Sequence, residues 1–220
     1  NLEGNSITSL DLSKNTKITW LNIRKNKLTS IDLSTNTALT FLSVSENELT
    51  SLDISKLDKL KTMYAGVNKI ASIDISSNVA LEKLWLNQNE LTAIDLSKNE
   101  NLIELELDWN FNLSTVDLSK NLKLAKVHLW KTNLSVIDVT MLTNLEKLYL
   151  SDNNLTSVDV TKNVKLIDLR VGENELTSID ITKNTLLERI DVVKSKLTSL
   201  NVSKNEKLKQ LWANENQITS

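Results

Sequence analysis

The sequence predicts a solenoid of about ten stacked coils, because one phrase of 21 residues recurs along nearly the whole chain. One position marks the repeat and reads Asn5, Asn26, Asn47, Asn68, Asn89, Asn110, Thr132, Asn153, Asn174, Ser195 and Asn216. The interval is 21 residues throughout, apart from one of 22 where Phe111-Asn112 replaces a single residue. Each coil repeats the same aliphatic positions, so stacked neighbours can bury a continuous core that no coil buries alone.

Each coil is expected to contribute one short β-strand. Leu21 and Ile23 form an aliphatic pair within residues 20–39. Asn22 and Arg24 alternate with them, and this period of two places them on the opposite face. Strands that repeat in register form a parallel sheet, which we expect on the concave side of right-handed coils.

The other side of each coil lacks a helical pattern. The stretch from Leu28 to Leu33 alternates only at its end and is too short for a helix of ordinary length. It therefore predicts extended segments or 3₁₀ turns. An outer side of this kind predicts shallow curvature.

Asparagine carries the turn chemistry, because the chain has three glycines and no proline. The amide of Asn26 and its equivalents can pair with backbone groups of adjacent coils that would otherwise be buried without a partner. A second column marks the outer turn and reads Asn15, Asn36, Asn78, Asn99, Asn121, Asn163, Asn184 and Asn205. Leu57 and Leu142 replace asparagine in two coils, where we expect apolar packing instead.

Residues 28–49, which read LTSIDLSTNTALTFLSVSENEL, resemble the 21-residue class of bacterial leucine-rich repeats and above all the internalin-type surface proteins and related adhesins. The resemblance covers essentially the whole chain. It implies a leucine-rich repeat solenoid of the α/β class dominated by β-structure. It also implies an extracellular protein, on a bacterial surface or secreted, that binds a protein or glycan of a host or neighbouring cell. Some members carry cysteine in the strand column that here reads Ile23, Val44, Ala65, Leu86 and Leu107.

We expect residues 1–220 to form one leucine-rich repeat domain. The chain starts without methionine or a recognisable cap and stops in mid-repeat. Because solenoids normally end in polar caps, these features predict a fragment of a longer protein.

Composition excludes several classes of function. The 26 basic and 28 acidic residues give a net charge of -2, so the chain lacks the basic excess that drives non-specific binding to nucleic acid or acidic membranes. No apolar run approaches the ~20 residues that span a bilayer. The absence of cysteine excludes disulfides and thiolate metal sites. We predict no cofactor, no nucleic-acid partner and no membrane insertion, and we expect a monomer.

Aromatic residues concentrate in the columns that escape the repeat. Four positions per coil, those of Trp20, Asn22, Arg24 and Lys25, point away from the core or end the strand. Eight of the nine aromatic residues occupy these columns, namely Trp20, Phe41, Tyr64, Trp85, Trp109, Trp130, Tyr149 and Trp212. The single histidine and all three arginines lie there as well. Tyrosine, tryptophan and arginine dominate binding hot spots, so this face is the candidate ligand-binding surface.

The candidate site lies at the centre of this face. Its predicted ligand-binding residues are Tyr64, Trp85, Trp109, His128, Trp130 and Tyr149, with Arg170 and Arg189 as polar anchors toward the carboxyl-terminal end. The alternative is that the rings stack on one another and only shield the sheet, since cross-strand aromatic pairs contribute roughly 0.2–1 kcal/mol each.

The charged residues of this face do not predict catalysis or metal binding. An acidic run flanked by lysines consists of Glu104, Glu106 and Asp108 between Lys83 and Lys126. Paired carboxylates can serve acid–base catalysis, but an exposed, nearly flat sheet does little to raise a pKa. We therefore expect a solvated patch neutralised by the lysines. His128 has no cysteine or second histidine nearby in the pattern, so we assign it to the aromatic surface rather than to a metal site.

A row of aspartates on the opposite side raises the question of calcium. It reads Asp11, Asp32, Asp53, Asp74, Asp95, Asp117, Asp138, Asp159 and Asp180. Calcium takes about six to eight oxygen ligands, whereas each coil offers one carboxylate. We expect neutralisation by short Asp-to-backbone bonds and by a parallel lysine column of Lys14, Lys56, Lys98, Lys120, Lys162, Lys183 and Lys204. No metal site is predicted.

These observations predict a non-enzymatic recognition module that binds a protein or glycoconjugate on its aromatic face, as a bacterial surface adhesin would. The alternative is a structural spacer that holds other domains away from a cell surface. A pure spacer, however, has no reason to concentrate aromatic residues on one face. Ice binding by the rows of Ser30 and Ser34 is disfavoured by the charged aspartate in each coil, and enzymatic activity is not predicted.

Overall fold

The computed structural model describes residues 1–219 and contains one ten-stranded parallel β-sheet. The three-residue strands are β1 (Trp20–Asn22), β2 (Phe41–Ser43), β3 (Thr62–Tyr64), β4 (Lys83–Trp85), β5 (Glu104–Glu106), β6 (Lys126–His128), β7 (Lys147–Tyr149), β8 (Asp168–Arg170), β9 (Arg189–Asp191) and β10 (Gln210–Trp212). They pair in chain order, and each residue lies beside the residue one repeat later. The predicted leucine-rich repeat solenoid of about ten coils is therefore confirmed.

Aliphatic side chains dominate the apolar interior. The middle residue of each strand and the residue after the strand face inward, so that Leu42 and Val44 are fully buried. Equivalent residues of successive coils stack into one continuous cluster that runs from Leu12 to Leu197 and contains no aromatic side chain. The first and third residues of each strand face the other way.

The outer side consists of isolated turns joined by extended segments. The N–H of Asn36 donates to the carbonyl of Leu33 at 3.0 Å, and the N–H of Leu39 donates to the carbonyl of Asn36 at 3.1 Å. Each bond spans three residues, as in a 3₁₀ helix, but the series does not continue. No helix of any kind occurs in residues 1–219, so the expectation of extended structure with short turns is confirmed.

The main asparagine column forms a hydrogen-bonded ladder, as predicted. The Oδ1 of Asn47 accepts the N–H of Leu28 at 3.0 Å, and its Nδ2 donates to the carbonyl of Ile23 at 3.1 Å. Both partners belong to the preceding turn of the chain, so the amide ties one coil to the next. Where Thr132 replaces asparagine, its hydroxyl donates to the Oδ1 of Asn153 at 2.7 Å.

The second asparagine column also joins neighbouring coils at the outer turn, but through its Nδ2 donors. Asn78 is fully buried, and its Nδ2 donates to the carbonyls of Ile54 at 2.9 Å and Leu57 at 2.8 Å. Leu57 and Leu142, which replace asparagine in two coils, are buried in the core. The predicted exchange of a hydrogen-bonded turn for an apolar one is confirmed.

Hydrogen bonds from serine and threonine are the main interactions that stabilise the charged aspartate row. The Oδ1 of Asp32 accepts the N–H of Ser34 at 2.9 Å. The side chain and backbone of Ser34, in that order, hold the pKa of Asp32 below its usual value. Within the described chain, the aspartates that form ion pairs are Asp152 and Asp168, neither of which belongs to the row. Both expected contributions are present, but the hydrogen bonds are the larger one, as at Asp53, where Lys56 lowers the pKa less than Ser55 does.

One residue per coil adopts the left-handed backbone conformation, directly before the ladder position. These residues have φ between 45° and 61° and are Lys25, Glu46, Val67, Gln88, Trp109, Lys131, Asp152, Glu173, Lys194 and Glu215. This kink lies three residues beyond the end of each strand. A β-branched or bulky residue is unusual there, so Val67 and Trp109 mark places where the coil tolerates strain.

Candidate binding face

The predicted site residues occupy four columns of the repeat, those of Trp20, Asn22, Arg24 and Lys25. Tyr64, Trp85, His128, Tyr149 and Arg170 end their strands, Arg189 begins one, and Trp109 and Trp130 follow a strand. Trp130 is exposed, and the other seven side chains are half-buried. They do not form one continuous patch. Their side chains contact one another in separate groups, which are described in turn below.

The first group, here called the amino-terminal stack, consists of Trp20, Phe41, Tyr64 and Trp85. Trp20 and Phe41 stack with ring centroids 5.1 Å apart, and the edge of one ring meets the other between Phe41 and Tyr64 at 5.5 Å. Tyr64 and Trp85 stack at 4.1 Å. Each pair lies on neighbouring strands, so the stack covers β1 to β4. This is the shielding arrangement that the sequence left open as an alternative.

A groove of about 360 Å³ lies beside this stack. It forms because Ser43, Ser45 and Gly66 carry small side chains or none, next to the larger rings of Tyr64 and Trp85. A Cβ atom at residue 66 would lie 2.2 Å from the side-chain oxygen of Asn87, so a larger residue would require the Asn87 side chain to move. The groove therefore combines an aromatic wall with hydroxyl and amide groups.

The second group, here called the central stack, consists of His128, Tyr149 and Arg170. His128 and Tyr149 stack with centroids 4.2 Å apart, and the guanidinium of Arg170 lies 4.5 Å from the centre of the Tyr149 ring. The three side chains end β6, β7 and β8, so register alone brings them together.

The third group, here called the edge cluster, consists of Trp109, Phe111, Trp130 and Lys131. Trp109 meets Trp130 at 5.3 Å and Phe111 at 5.8 Å, in both cases edge to face. The ammonium of Lys131 lies 4.4 Å from the Trp109 ring centre. Trp130 is 40% exposed and Phe111 is 60% exposed. Trp109 and Trp130 thus contact each other, as a shared surface requires, whereas Trp85 stacks on Tyr64 in the amino-terminal stack.

The acidic run of β5 separates the two stacks. Glu104 is almost fully buried, and its carboxylate lies 3.6 Å from the Nζ of Lys83 and 3.3 Å from the Nζ of Lys126. Glu106 lies 3.3 Å from the Nδ1 of His128. Neutralisation by the flanking lysines agrees with the sequence prediction, but the solvated patch does not, since the lysines and the adjacent strands cover Glu104.

Asp108 follows β5 and departs further from that expectation. Its Oδ1 accepts the N–H of Trp130 at 2.6 Å and so ties the edge cluster to the acidic strand. Burial raises the pKa of Asp108 to about 6, against the effects of the Trp130 hydrogen bond and the nearby His128. Burial can thus raise the pKa of a carboxylate that lies just beyond a strand of this sheet.

Sequence reasoning missed Asp168, which organises the carboxyl-terminal part of the face. Its Oδ2 accepts the hydroxyl of Tyr149 at 2.8 Å and the Nε of Arg189 at 2.8 Å, while Arg170 donates its Nε to Oδ1 at 3.2 Å. Burial opposes ionisation of Asp168, but these donors outweigh it and hold the pKa of Asp168 below its usual value. The signal in the sequence was an aspartate in register between Lys147 and Arg189.

The same carboxylate affects the groups around it. Burial, followed by the hydrogen bond to Asp168, raises the pKa of Tyr149 to about 12. The bond to Asp168 also raises the pKa of Arg170 and of Arg189. Both arginines therefore stay charged and fixed in direction at physiological pH.

In residues 1–219, no three histidine, cysteine, aspartate or glutamate side chains are grouped to hold a metal ion. The same part of the chain contains no helix long and apolar enough to cross a membrane.

Comparison with known proteins supports the repeat assignment. The family model for the leucine-rich repeat matches residues 144–162. No curated protein matches the sequence. Among solved structures, a leucine-rich repeat protein from Leptospira interrogans shares the fold, with a TM-score of 0.84, 21% identity, and coverage of 100% of this chain and 67% of that one.

Two structures from Listeria monocytogenes are similar in sequence as well as fold. The functional domain of InlJ, which includes a cysteine ladder, matches with a TM-score of 0.96 and 30% identity over 98% of this chain and 48% of that one. The internalin InlF matches with a TM-score of 0.73 and 25% identity over 92% of this chain and 68% of that one. The chain thus spans about half the length of the InlJ structure. With its 21-residue repeat and parallel sheet, this chain is an internalin-like leucine-rich repeat protein.

Proposed function

We propose that the chain is a non-enzymatic recognition module of a bacterial surface or secreted protein, and that it binds a partner protein or glycoconjugate through the solvent-facing side of its sheet. The observation that carries the proposal is the separation of residue types. Aromatic side chains are absent from the buried cluster, yet they crowd the outward columns of the sheet. Folding of an aliphatic solenoid does not require this separation.

The edge cluster is the strongest candidate for contact with a partner. Trp130 and Phe111 expose 40% and 60% of their surface, and large exposed rings that contact one another are the usual centre of a binding hot spot. The one-residue insertion at Phe111-Asn112 lies in this cluster. The exposed rings of the edge cluster therefore lie where the 21-residue repeat is interrupted.

The internalin-like fold supports a protein-binding module, since leucine-rich repeat solenoids offer an extended sheet surface for this purpose. An adhesin role and a host or neighbouring-cell partner remain part of the proposal. Placement of the protein outside the cell rests on the same family likeness.

A spacer is the second candidate, and one observation favours it. Tyr64 with Trp85, and His128 with Tyr149, stack at 4.1 Å and 4.2 Å across neighbouring strands. Such pairs are worth about 0.5–1.5 kcal/mol beyond their burial, so both stacks stabilise the sheet whether or not a ligand binds. The Trp109–Trp130 contact also joins neighbouring coils, but a spacer does not need the large exposed fractions of Trp130 and Phe111.

A screen of the immobilised chain against arrays of host proteins and glycans tests the proposal. The double change Trp109→Ala with Trp130→Ala should abolish retention of a captured partner and change the melting temperature little. Trp212→Ala is the matched control, because Trp212 is also 40% exposed but lies outside the cluster. Loss of stability with unchanged capture would favour the spacer instead.

A further inference from the structure

Asp168 is buried at a strand position that its neighbours leave open to solvent. It is 0% exposed at the start of β8, whereas the equivalent Lys147 of β7 and Arg189 of β9 are half-buried. A buried carboxylate is costly unless charged donors surround it. Its burial therefore comes from the arginines and the tyrosine that fold over it.

Asp168 orients two guanidinium groups but uses only part of their hydrogen-bonding capacity. Arg189 donates through Nε at 2.8 Å, and its two Nη groups have no acceptor among residues 1–219. Arg170 donates through Nε and one Nη while its plane lies on Tyr149. The side chains of Arg170 and Arg189 remain 42% and 32% exposed. Donors fixed in direction are thus available to a ligand.

The charges around this pair favour an anion. Lys147 lies in register beside Asp168 and forms no ion pair within the described chain. Asp191 lies in register beside Arg170, and its Oδ1 already accepts a backbone N–H at 3.1 Å. Three cationic side chains therefore face two carboxylates, which leaves one positive charge in excess.

We propose that Arg170 and Arg189 form a subsite for a carboxylate group, with Asp168 as the positioning residue. The proposal rests on the proposed function, because an acidic side chain of the partner protein supplies the carboxylate. The Nη groups of Arg189 present two N–H bonds in one plane, which matches the two oxygens of a carboxylate. Because Asp168 already fixes the guanidinium, less side-chain entropy is lost on binding.

Side-chain NMR of the arginines tests the subsite directly. The chain has three arginines, so the Nε–Hε correlations give one signal each for Arg24, Arg170 and Arg189. Sodium acetate is titrated against sodium chloride at equal ionic strength. We expect saturable shifts of Arg170 and Arg189 with acetate, and none for Arg24, which pairs with Glu46. Arg189→Lys should weaken acetate binding at least about tenfold although the charge is kept, and Arg24→Lys is the matched control.

Each other outcome has a definite meaning. Shifts without saturation, or equal shifts in all three arginines, would overturn the subsite. Tighter binding of sulfate than of acetate, in a parallel titration, would overturn the assignment to a planar carboxylate. Asp168→Asn should weaken acetate binding while both guanidinium charges remain; a folded variant that binds like wild type would remove the positioning role. If that variant does not fold, Arg189→Lys decides alone.

The acetate titration needs no partner, so it separates this proposal from the proposed function. An absent acetate response would reject the subsite and leave partner capture by the edge cluster intact. A saturable acetate response with no protein retained on the array would reject the recognition function and keep the subsite.

Discussion

At the scale of single residues, asparagine amides replace backbone partners that so short a coil cannot supply. The Oδ1 of Asn68 accepts the N–H of Leu49 at 3.0 Å, and its Nδ2 donates to the carbonyls of Val44 and Ala65 at 3.1 Å each. One side chain thus satisfies backbone groups in two coils. A buried group left without a partner costs much more than an ordinary hydrogen bond gains.

Asn68→Ala is therefore expected to lower the free energy of unfolding by about 1–3 kcal/mol. Urea unfolding followed by far-UV circular dichroism measures the change. Asn154→Ala is the control, since this exposed asparagine makes one side-chain bond, to the Oδ1 of Asn133. Equal stability of the two variants would contradict the ladder account.

Val67 stores strain that a substitution can release. It is a β-branched residue with φ of 56°, a conformation that costs a side-chain-bearing residue about 1–2 kcal/mol. Asparagine tolerates this region, so Val67→Asn should raise the free energy of unfolding by roughly 0.5–1 kcal/mol. Val164→Asn, at another exposed valine without positive φ, should bring no gain. A stabilised control, or an unchanged Val67 variant, would argue against backbone strain.

At the scale of elements, side chains beyond the strand ends join neighbouring coils. Asp108 follows β5 and accepts the N–H of Trp130, which follows β6. The outer turns instead satisfy their carboxylates locally, as Asp180 does with the N–H of Thr182 at 2.9 Å. The first arrangement buries a carboxylate and the second leaves it in solvent. Their contributions to stability should therefore respond to pH in opposite directions.

The pKa of Asp108 is raised to about 6 from 3.8, so the folded state binds this proton more tightly than the unfolded state. Its contribution to stability is fully present below about pH 4 and is lost as pH rises through about 6. Asp108→Asn should thus be more stable than wild type at pH 8, and this difference should disappear near pH 4. Urea unfolding across this range measures it.

Asp180→Asn provides a control with the opposite sign. Hydrogen bonds from Thr182 lower the pKa of Asp180, so its contribution is present above the unfolded pKa and is lost as pH falls through the folded one. This variant should be less stable than wild type at neutral pH, with the deficit shrinking in acid. The same pH trend in both variants would contradict the assignment of Asp108.

Removal of calcium should leave the melting temperature unchanged. In the outer turns, each carboxylate such as Asp95 accepts a backbone N–H, here from Ser97 at 2.9 Å, and is not grouped with other carboxylates. An ion that binds only the native state would raise the melting temperature with its concentration. Calorimetry with EDTA, with calcium and with magnesium as the control ion checks this. A shift of several degrees specific to calcium would make the outer face a binding surface.

At the scale of the whole molecule, stability is built from contacts between successive coils. The sheet order follows the chain order from β1 to β10, so each strand pairs only with its sequence neighbours. Distant coils influence one another only through the coils between them. Substitutions at two distant asparagines of the ladder should therefore lower the free energy of unfolding additively. Substitutions in adjacent coils should deviate from additivity.

The double variant Asn68→Ala with Asn174→Ala should lose the sum of the two single changes to within about 0.5 kcal/mol. Asn68→Ala with Asn89→Ala should deviate from additivity, because both amides donate to the carbonyl of Ala65. Urea unfolding of both cycles provides the comparison. If the two losses of stability were additive in the adjacent pair, the shared carbonyl of Ala65 would not couple the two asparagines.

The sequence by itself determined the architecture of this protein. Because equivalent residues lie 21 positions apart, spatial neighbours can be read directly from the repeat, and the ladder of Asn47 and the inward position of Leu42 followed from it. The concentration of aromatic residues on one side of the sheet was equally visible. These predictions were possible because, in a solenoid, residues at the same position of successive repeats lie side by side in a row along the molecule.

Only the tertiary structure decided which residues of those surface columns contact one another and so form separate groups. The sequence placed Trp85 and Trp109 in one candidate site, but the Trp109 ring, three residues beyond β5, contacts Trp130 and Phe111, whereas Trp85 stacks on Tyr64. The burial of Asp168 and the raised pKa of Asp108 depend on which neighbouring side chains fold over each carboxylate. Side-chain direction and mutual coverage are set by packing between adjacent strands, and a repeat pattern records positions without recording that packing.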